Sequence, residues 1–413
     1  MNRTRTNGAR RVAHRRAHSS ALALAIATAA AALLGAGVTT AVARGVVKPT
    51  RKRSEDIRVL GVNAAGDRVT LSATPDALLR GDYSLWFWQS AGHARIGAIT
   101  GRTATTVTRE LLGTDFGDLR AARTARMNGW FHLSPRELGY PHENVTVPTP
   151  VGAAPAWLIP AEGGSERWAV HVHGRGTRRP ETLRGVPVFR HAGYTSLVVS
   201  YRNDEEAPPS ADRRYALGDT EWEDVEAAVR FAVERGAREV VLVGWSMGGA
   251  VVLQTVLRSP LASHVGGIVL DSPVIDWVET LTFQGDARRL PRRVERGALG
   301  VLAAPWGRAV TGLGRPIDFG RLNVLERAQE LTVPMLLLHS DDDGFVPSAG
   351  SRQLAATRPD LVTLVPFDVA RHAKLWNYDR DRWNGAISSW LERRGPTSAH
   401  TGSPARPRGA AAD

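Results

Sequence analysis

The stretch Glu239–Leu253, EVVLVGWSMGGAVVL, decides the fold prediction. An apolar run comes directly before Gly244-Trp245-Ser246-Met247-Gly248, and small and apolar residues follow it. A G-x-S-x-G sequence between a strand and a helix is typical of a nucleophile elbow, in which side chains at the two glycine positions would collide with the turn and the next strand. The stretch therefore predicts that Ser246 is a nucleophile and that the Met247 N–H, at a helix N-terminus, faces a developing oxyanion.

A serine nucleophile needs a histidine to take its proton and an acid to orient that histidine. The chain order expected after a nucleophile elbow is serine, acid, histidine. An apolar strand over 333–339 leads into Asp341, Asp342 and Asp343, and local sequence does not choose among the three. A further strand over 361–366 precedes His372, the candidate base. Asp271, after the strand 265–270, is a rival acid.

A glycine-containing turn, His171-Val172-His173-Gly174-Arg175-Gly176, closes the strand 167–172. Such a turn lets a backbone amide approach the substrate carbonyl as a second oxyanion donor. A dinucleotide or phosphate site is not favoured, because the turn has neither the G-x-G-x-x-G spacing nor a Walker lysine. His173 is interpreted as a structural histidine outside the triad. No H-E-x-x-H sequence occurs, so neither a metal nor any other cofactor is predicted.

These four ordered motifs make residues 144–392 resemble the α/β-hydrolase superfamily, most closely its serine esterase and serine aminopeptidase-like branch. The resemblance implies an orienting acid separated by two residues from Val346-Pro347, which selects Asp343. It also implies that the base is His372, which precedes Trp376-Asn377, and that the second oxyanion amide belongs to Arg175.

The N-terminus resembles an export signal. Six arginines precede an uncharged run, Ser19–Ala43, which is about as long as the roughly 20 residues that cross a bilayer. We expect a basic tail over 1–18, a single-pass membrane anchor over 19–43 with the catalytic domain outside, and a basic linker over 44–56. The sequence Ala41-Val42-Ala43 keeps a cleaved signal and a secreted protein as the alternative. The preference for Arg over Lys resembles exported chains of actinobacteria.

The charge balance argues against a nucleic-acid partner. The net charge is +12, but eleven of the 53 Lys and Arg residues lie within residues 1–53, which contain no acid. Residues 54–413 therefore hold 42 basic and 41 acidic groups, too even a balance for a phosphate-binding surface. Cysteine is absent, which excludes disulfides and thiol catalysis.

The remaining patterns divide the chain. Short strands with Gly-containing turns predict a β-rich accessory module over 57–140. Alternating strands and helices over 141–394 predict a mostly parallel sheet flanked by helices, the α/β class, with a helical lid inserted over 273–331. The Pro-, Ser- and Arg-rich residues 395–413 are expected to be disordered.

Together these features predict a serine hydrolase that cleaves carboxylic esters through an acyl-enzyme intermediate. A serine peptidase or aminopeptidase and an acyltransferase would use the same triad and stay open. A non-enzymatic alternative is a membrane-tethered binding protein on a hydrolase scaffold. The expected partners are a small-molecule ester or peptide substrate and, through the N-terminal segment, a membrane.

Overall fold

The computed structural model describes residues 35–49 and 52–394. The strands within these residues form a six-stranded closed barrel, followed along the chain by an eight-stranded open sheet. The barrel confirms the β-rich character predicted for the module, and the open sheet confirms the predicted mostly parallel sheet. The exact boundaries between the two parts stay predictions.

The strand Arg68–Ser72 of the barrel alternates between buried and more exposed positions, whereas the strand Tyr83–Phe87 is buried at every position. Arg109 is completely buried, and its guanidinium donates hydrogen bonds to the carbonyl oxygens of Ala77, Leu79, Gly81 and Gly97. The ring order is β1-β2-β5-β4-β3-β6. The strands are β1 Ile57–Val62, β2 Arg68–Ser72, β3 Tyr83–Phe87, β4 Gly92–Arg102, β5 Thr106–Phe116 and β6 Thr124–Asn128.

The open sheet has the order β14-β13-β12-β11-β9-β10-β8-β7. Strands β9 to β14 run parallel, and β8 is antiparallel to both of its neighbours. The strands are β7 Glu143–Thr149, β8 Gly152–Ile159, β9 Arg167–Val172, β10 Thr195–Val199, β11 Glu239–Trp245, β12 Val265–Asp271, β13 Met335–Ser340 and β14 Val362–Phe367.

Helices cover both faces of the open sheet, and the central strands β10, β11 and β13 are buried along their whole length. Strands buried on both faces are continuous apolar runs, which is the pattern in the sequence. The α-helices are Val186–His191, Trp222–Glu234, Met247–Arg258, Trp277–Ala287, Arg292–Ala303, Arg308–Thr311, Phe319–Leu322, Ala349–Thr357, Leu375–Tyr378 and Arg380–Arg394.

Four of these helices lie between β12 and β13, inside the segment 273–331 that is predicted to be a lid. The helix Arg292–Ala303 has an apolar face, and its Ala298, Val301 and Leu302 join the main hydrophobic core. That the segment moves as a lid stays a prediction.

Residues 35–47 are helical and pack against the body of the protein. Ala43 and Val47 are completely buried in the main core. Most of the expected anchor (residues 19–34), the basic tail 1–18 and the expected disordered tail 395–413 lie outside the described residues. Over 35–49 and 52–394, no helix has both the length and the apolar character needed to cross a bilayer.

Candidate active site

Ser246 lies at the turn between β11 and the helix Met247–Arg258, with φ at 52° and ψ at −118°. A positive φ is costly for a residue with a side chain, so the surrounding packing must hold it there. That packing excludes side chains at both neighbouring glycines. A Cβ on Gly248 would lie 2.3 Å from the carbonyl oxygen of Val172, and one on Gly244 would lie 2.8 Å from the Gly248 backbone. The elbow predicted from the sequence thus has its steric cause in β9 and in the helix start.

His372 faces Ser246 from the loop that follows β14. Its Nε2 lies 2.9 Å from Ser246 Oγ. The residues on either side of it, Arg371 and Ala373, both have positive φ, at 59° and 50°. Main-chain hydrogen bonds hold this tight loop. The Ala370 N–H donates to Ser340 Oγ at 2.9 Å, and the Ala373 N–H donates to Ser272 Oγ at 3.0 Å.

Asp343 lies behind His372. Its Oδ2 is 2.7 Å from His372 Nδ1, and its Oδ1 accepts hydrogen bonds from the N–H groups of Phe345 and Val346. Burial opposes ionisation of this carboxyl, but the charge of His372 and hydrogen bonds from His339 and His372 outweigh burial and lower its pKa. Asp343 is therefore suited to remain a carboxylate beside an imidazolium.

The other candidate acids make different contacts. Asp341 is exposed and pairs with Ser348 and Arg352, and Asp342 accepts from Ser340 Oγ and the Arg371 N–H. Asp271 is buried, and it accepts hydrogen bonds from Ser272 Oγ at 2.9 Å and Trp383 Nε1 at 2.9 Å. Burial raises the pKa of Asp271. Of these four aspartates, Asp343 is the one hydrogen-bonded to His372.

The turn after β9 carries the predicted oxyanion amide of Arg175. His173 pairs with other residues, with its Nε2 3.0 Å from Asp204 Oδ2 and its ring stacked on Tyr201. A residue that sequence reasoning missed, Glu181, orders the turn. One carboxylate oxygen of Glu181 accepts from the Gly174 N–H at 2.9 Å and from Thr177 Oγ at 2.6 Å. The signal for this contact in the sequence was that Thr177 and Glu181 are four positions apart.

The Arg175 side chain makes a contact that the sequence did not indicate. Its Nη2 donates to the carbonyl oxygens of Gly45, Val46 and Lys48 at 2.8, 2.7 and 3.1 Å. These carbonyls end the helical residues 35–47, where orphan acceptors and the negative end of the helix dipole favour a cation.

An apolar cavity of about 310 Å³ opens beside Ser246 and Met247. Its walls come from the N-terminal segment, through Val42 and Val46, and from the helices between β12 and β13. It also contains one buried carboxylate, Glu295.

A second cavity of about 340 Å³ also borders Ser246. Its lining is more polar than that of the first cavity and includes His372, Arg371 and Lys374, so the two are called the polar and the apolar cavity. Its opposite wall comes from the barrel, through Asp76 and residues 127–129. Ser246 thus lines both the apolar and the polar cavity.

Two family profiles match the chain. The profile described as "Alpha/beta hydrolase family" matches residues 169–386, more than half of the sequence. A profile described as a domain of unknown function (DUF8805) matches residues 58–128, the range of the barrel. No protein with a curated description matches the chain.

Solved structures with similar folds include two esterases and a peptidase. An esterase of Pyrococcus furiosus is 20% identical with a TM-score of 0.50, covering 63% of this chain and 94% of its own. A puromycin-hydrolyzing peptidase of Mycobacterium tuberculosis is 19% identical with a TM-score of 0.46, covering 79% of this chain and 44% of its own. An esterase of a Rhodococcus species is 19% identical with a TM-score of 0.43, covering 61% of this chain and 99% of its own. At 20% identity the likeness to the Pyrococcus furiosus esterase concerns the fold alone.

Proposed function

This chain belongs to the alpha/beta hydrolase family and is a hydrolase, and on that premise we propose that it cleaves carboxylic esters with Ser246 as the nucleophile. His372 is the general base and acid, and Asp343 orients it. The observation that carries this proposal is the unbroken hydrogen-bond chain from Ser246 Oγ through both ring nitrogens of His372 to Asp343 Oδ2, with lengths of 2.9 and 2.7 Å.

The chemistry follows from that chain. His372 Nε2 takes the hydroxyl proton as Ser246 Oγ bonds to the ester carbonyl carbon, and the carbonyl π pair moves onto its oxygen. The tetrahedral intermediate collapses, the bond to the alkoxy oxygen breaks, and His372 gives its proton to the departing alcohol. Water then repeats both steps on the acyl-enzyme and releases the carboxylic acid.

Two backbone amides are proposed to stabilise the oxyanion. Met247 is the first residue of its helix, so its N–H has no partner within the helix and lies at the positive end of the helix dipole. The second donor is the Arg175 N–H, in the turn that Glu181 orders from behind. Removing one such donor typically costs a factor of about 10² to 10³ in kcat.

The apolar cavity supports an ester with a hydrocarbon acyl group. The space beside Met247 is lined by aliphatic side chains such as Val42, Val46 and Leu281, and each CH₂ of an acyl chain buried there contributes about 0.8 kcal/mol. An ester is also intrinsically easier to cleave than an amide.

The test uses residues 35–394 and the full chain side by side, with p-nitrophenyl acetate, butyrate and decanoate as substrates. Wild-type turnover should fall by roughly 10⁶-fold in Ser246→Ala, as in other serine hydrolase triads. A fluorophosphonate should label the wild type at Ser246 and leave the variant unlabelled. If wild type and variant are equally inert and neither is labelled, the hydrolytic role of Ser246 is wrong and a binding role takes its place.

An aminopeptidase is the second candidate, favoured by Glu295. This residue lines the apolar cavity, is only 6% exposed, and its Oε1 has no hydrogen-bond partner among the residues the structure describes. A buried carboxylate oxygen without a partner is costly, and a substrate ammonium group would satisfy it. Aminoacyl anilides should then be better substrates than p-nitrophenyl esters, and Glu295→Gln should remove that preference while leaving ester turnover measurable.

We also propose that the protein is exported, on the sequence of residues 19–43 alone. The apolar run and its basic flank support a membrane anchor with the catalytic domain outside, and the sequence Ala41-Val42-Ala43 supports cleavage and secretion instead. Cell fractionation with N-terminal sequencing of the mature protein separates the two. Recovery of the full-length chain in the cytosolic fraction would contradict both.

A further inference from the structure

The two cavities beside Ser246 differ in one respect that matters for the reaction. Ser246 lines both cavities, but His372 lines the polar one and not the apolar one, and Met247 lines the apolar one and not the polar one. In the proposed mechanism His372 must give its proton to the alkoxy oxygen of the leaving group. The alcohol part of the ester therefore occupies the polar cavity, and the acyl part occupies the apolar one.

The barrel forms one wall of that polar cavity. Met127, Asn128 and Gly129, at and just beyond the end of β6, line it together with Asp76. Two barrel glycines bring this wall against the loop that carries His372. A Cβ on Gly129 would lie 2.5 Å from the carbonyl oxygen of Ala373, and one on Gly81 would lie 1.9 Å from that of Asn377.

The barrel also contacts the two cations that flank His372. Asp76 Oδ1 lies 2.8 Å from Arg371 Nε, and Asp76 Oδ2 lies 2.8 Å from Lys374 Nζ. One carboxylate of the barrel thus ties down the histidine loop on both sides. The Asn377 side chain adds a second link by donating to the carbonyl oxygen of Asp82 at 2.8 Å.

The charges and donors of the polar cavity indicate the kind of alcohol that fits. Three cations and two carboxylates line it, and each is already engaged by the protein. Arg371 and Lys374 pair with Asp76, Arg175 donates to the carbonyls of residues 45–48, and Glu181 accepts from the turn after β9. These charged groups therefore give little selection for a charged alcohol. The polar cavity does present several hydrogen-bonding side chains, including the amide of Asn128. Its volume of about 340 Å³ is near the lower end of ligand-pocket sizes.

We propose that the barrel is a leaving-group-binding module, and that it selects esters whose alcohol is a small, neutral, polyhydric one. The proposal rests on the proposed ester hydrolysis and assigns the alcohol subsite of the same reaction. It gives the barrel a role at the catalytic centre through side chains that it contributes to the cavity.

The experiment compares two butyrate esters with the same acyl group and a three-carbon alcohol, monobutyrin and propyl butyrate. The quantity measured is the ratio of their kcat/KM values, in wild type and in Asn128→Leu and Lys374→Met. Each variant removes hydrogen-bonding capacity from the cavity at nearly constant side-chain volume. The intrinsic reactivities of the two esters cancel between enzyme forms, and loss of one hydrogen bond should lower the ratio about tenfold.

The matched control is Arg102→Ala, an exposed barrel position at the end of β4 that does not line the cavity. Its ratio should equal that of the wild type. Asn128 Oδ1 accepts from the Trp130 N–H, so Asn128→Leu can disturb the barrel itself. Lys374 lies outside the barrel, in the hydrolase part of the chain, so Lys374→Met tests the same subsite if Asn128→Leu does not fold.

An unchanged ratio in both variants, with esters still cleaved and Ser246 still labelled by fluorophosphonate, overturns the leaving-group proposal alone. A wild type that cleaves neither ester and takes up no fluorophosphonate overturns the proposed function, and the barrel proposal with it. The labelling reaction, which needs no alcohol subsite, tells the two failures apart.

Discussion

Arg175 Nη2 lies 2.7 Å from the carbonyl oxygen of Val46, and this contact joins the proposed oxyanion turn to the N-terminal segment. The Tyr215 N–H donates to the next carbonyl, that of Val47, at 2.8 Å. Val46 itself lines the apolar cavity. The residues expected from sequence to end a membrane anchor therefore form part of the wall against which the acyl group of the substrate would pack.

Replacing Val46 by Trp should shorten the acyl chains that the enzyme accepts. The larger ring fills part of the cavity, so fewer CH₂ groups of a long acyl chain are buried there, at about 0.8 kcal/mol each. We expect kcat/KM for p-nitrophenyl decanoate to fall by about tenfold or more relative to acetate. Val38→Trp is the control, because Val38 lies in the same helical segment but is 46% exposed and outside the cavity. A Val46→Trp enzyme with the wild-type chain-length profile would show that the segment does not contact the acyl group.

The two buried aspartates should respond differently to neutral replacement. Asp343→Asn removes the acceptor that holds His372 Nδ1, and loss of this orientation should lower kcat about 10⁴-fold. Asp271→Asn leaves that contact intact and keeps an acceptor for Trp383, so its kcat should stay within about tenfold of the wild type. Steady-state kinetics on p-nitrophenyl butyrate, with circular dichroism to check folding, measures both. Reversed effects would make Asp271 the orienting acid.

Local sequence was sufficient for the parts of the site that depend on backbone geometry. The glycines at 244 and 248 are required by contacts within the elbow, so the pattern around Ser246 predicted its place. The three aspartates after β13 were different, because such a run is typical of a solvated turn and only the family resemblance selected Asp343. In the structure Asp343 is buried and bonds to His372, whereas Asp341 is exposed and pairs with Arg352.

Contacts between distant parts of the chain had no signal in the sequence. Asp76 and Lys374 are 298 positions apart, and nothing in either neighbourhood indicates the other. The same holds for Arg175 and Val46, 129 positions apart. A charged residue on a loop is ordinarily solvated. Its partner in a distant part of the chain can therefore be identified only from the folded structure.

Replacing Gly248 and Gly300 by alanine should change the stability of the protein in opposite directions. Gly248→Ala puts a Cβ 2.3 Å from the Val172 carbonyl oxygen, so the elbow must shift and both stability and activity should fall. Gly300 lies within the helix Arg292–Ala303, and a Cβ there meets nothing within 4 Å. Gly300→Ala should therefore stabilise the protein by up to about 1 kcal/mol, since alanine favours helix. Chemical denaturation gives both values. A Gly248→Ala protein as stable and active as the wild type would contradict the steric explanation of the elbow.

The stability of the protein should fall in mild acid because of buried neutral histidines. Complete burial lowers the pKa of His171 from 6.5 to about 3, so the folded protein takes up a proton there far less readily than the unfolded chain. The stability that His171 contributes is fully present above pH 6.5 and is lost as pH falls toward about 3. The slope from one such group is about 1.4 kcal/mol per pH unit. His93 and His132, whose pKa values are lowered to about 4, add to it.

His171→Gln should therefore flatten the dependence of unfolding free energy on pH between 6 and about 4 by the contribution of one proton. His191→Gln, at an exposed helix end, is the matched control and should keep the wild-type slope. The readout is the slope of stability against pH, which a general loss of packing at His171 would not change. Equal slopes in wild type and His171→Gln would mean that His171 binds a proton equally well in the folded and unfolded chains, and burial would then not be the cause of the acid sensitivity.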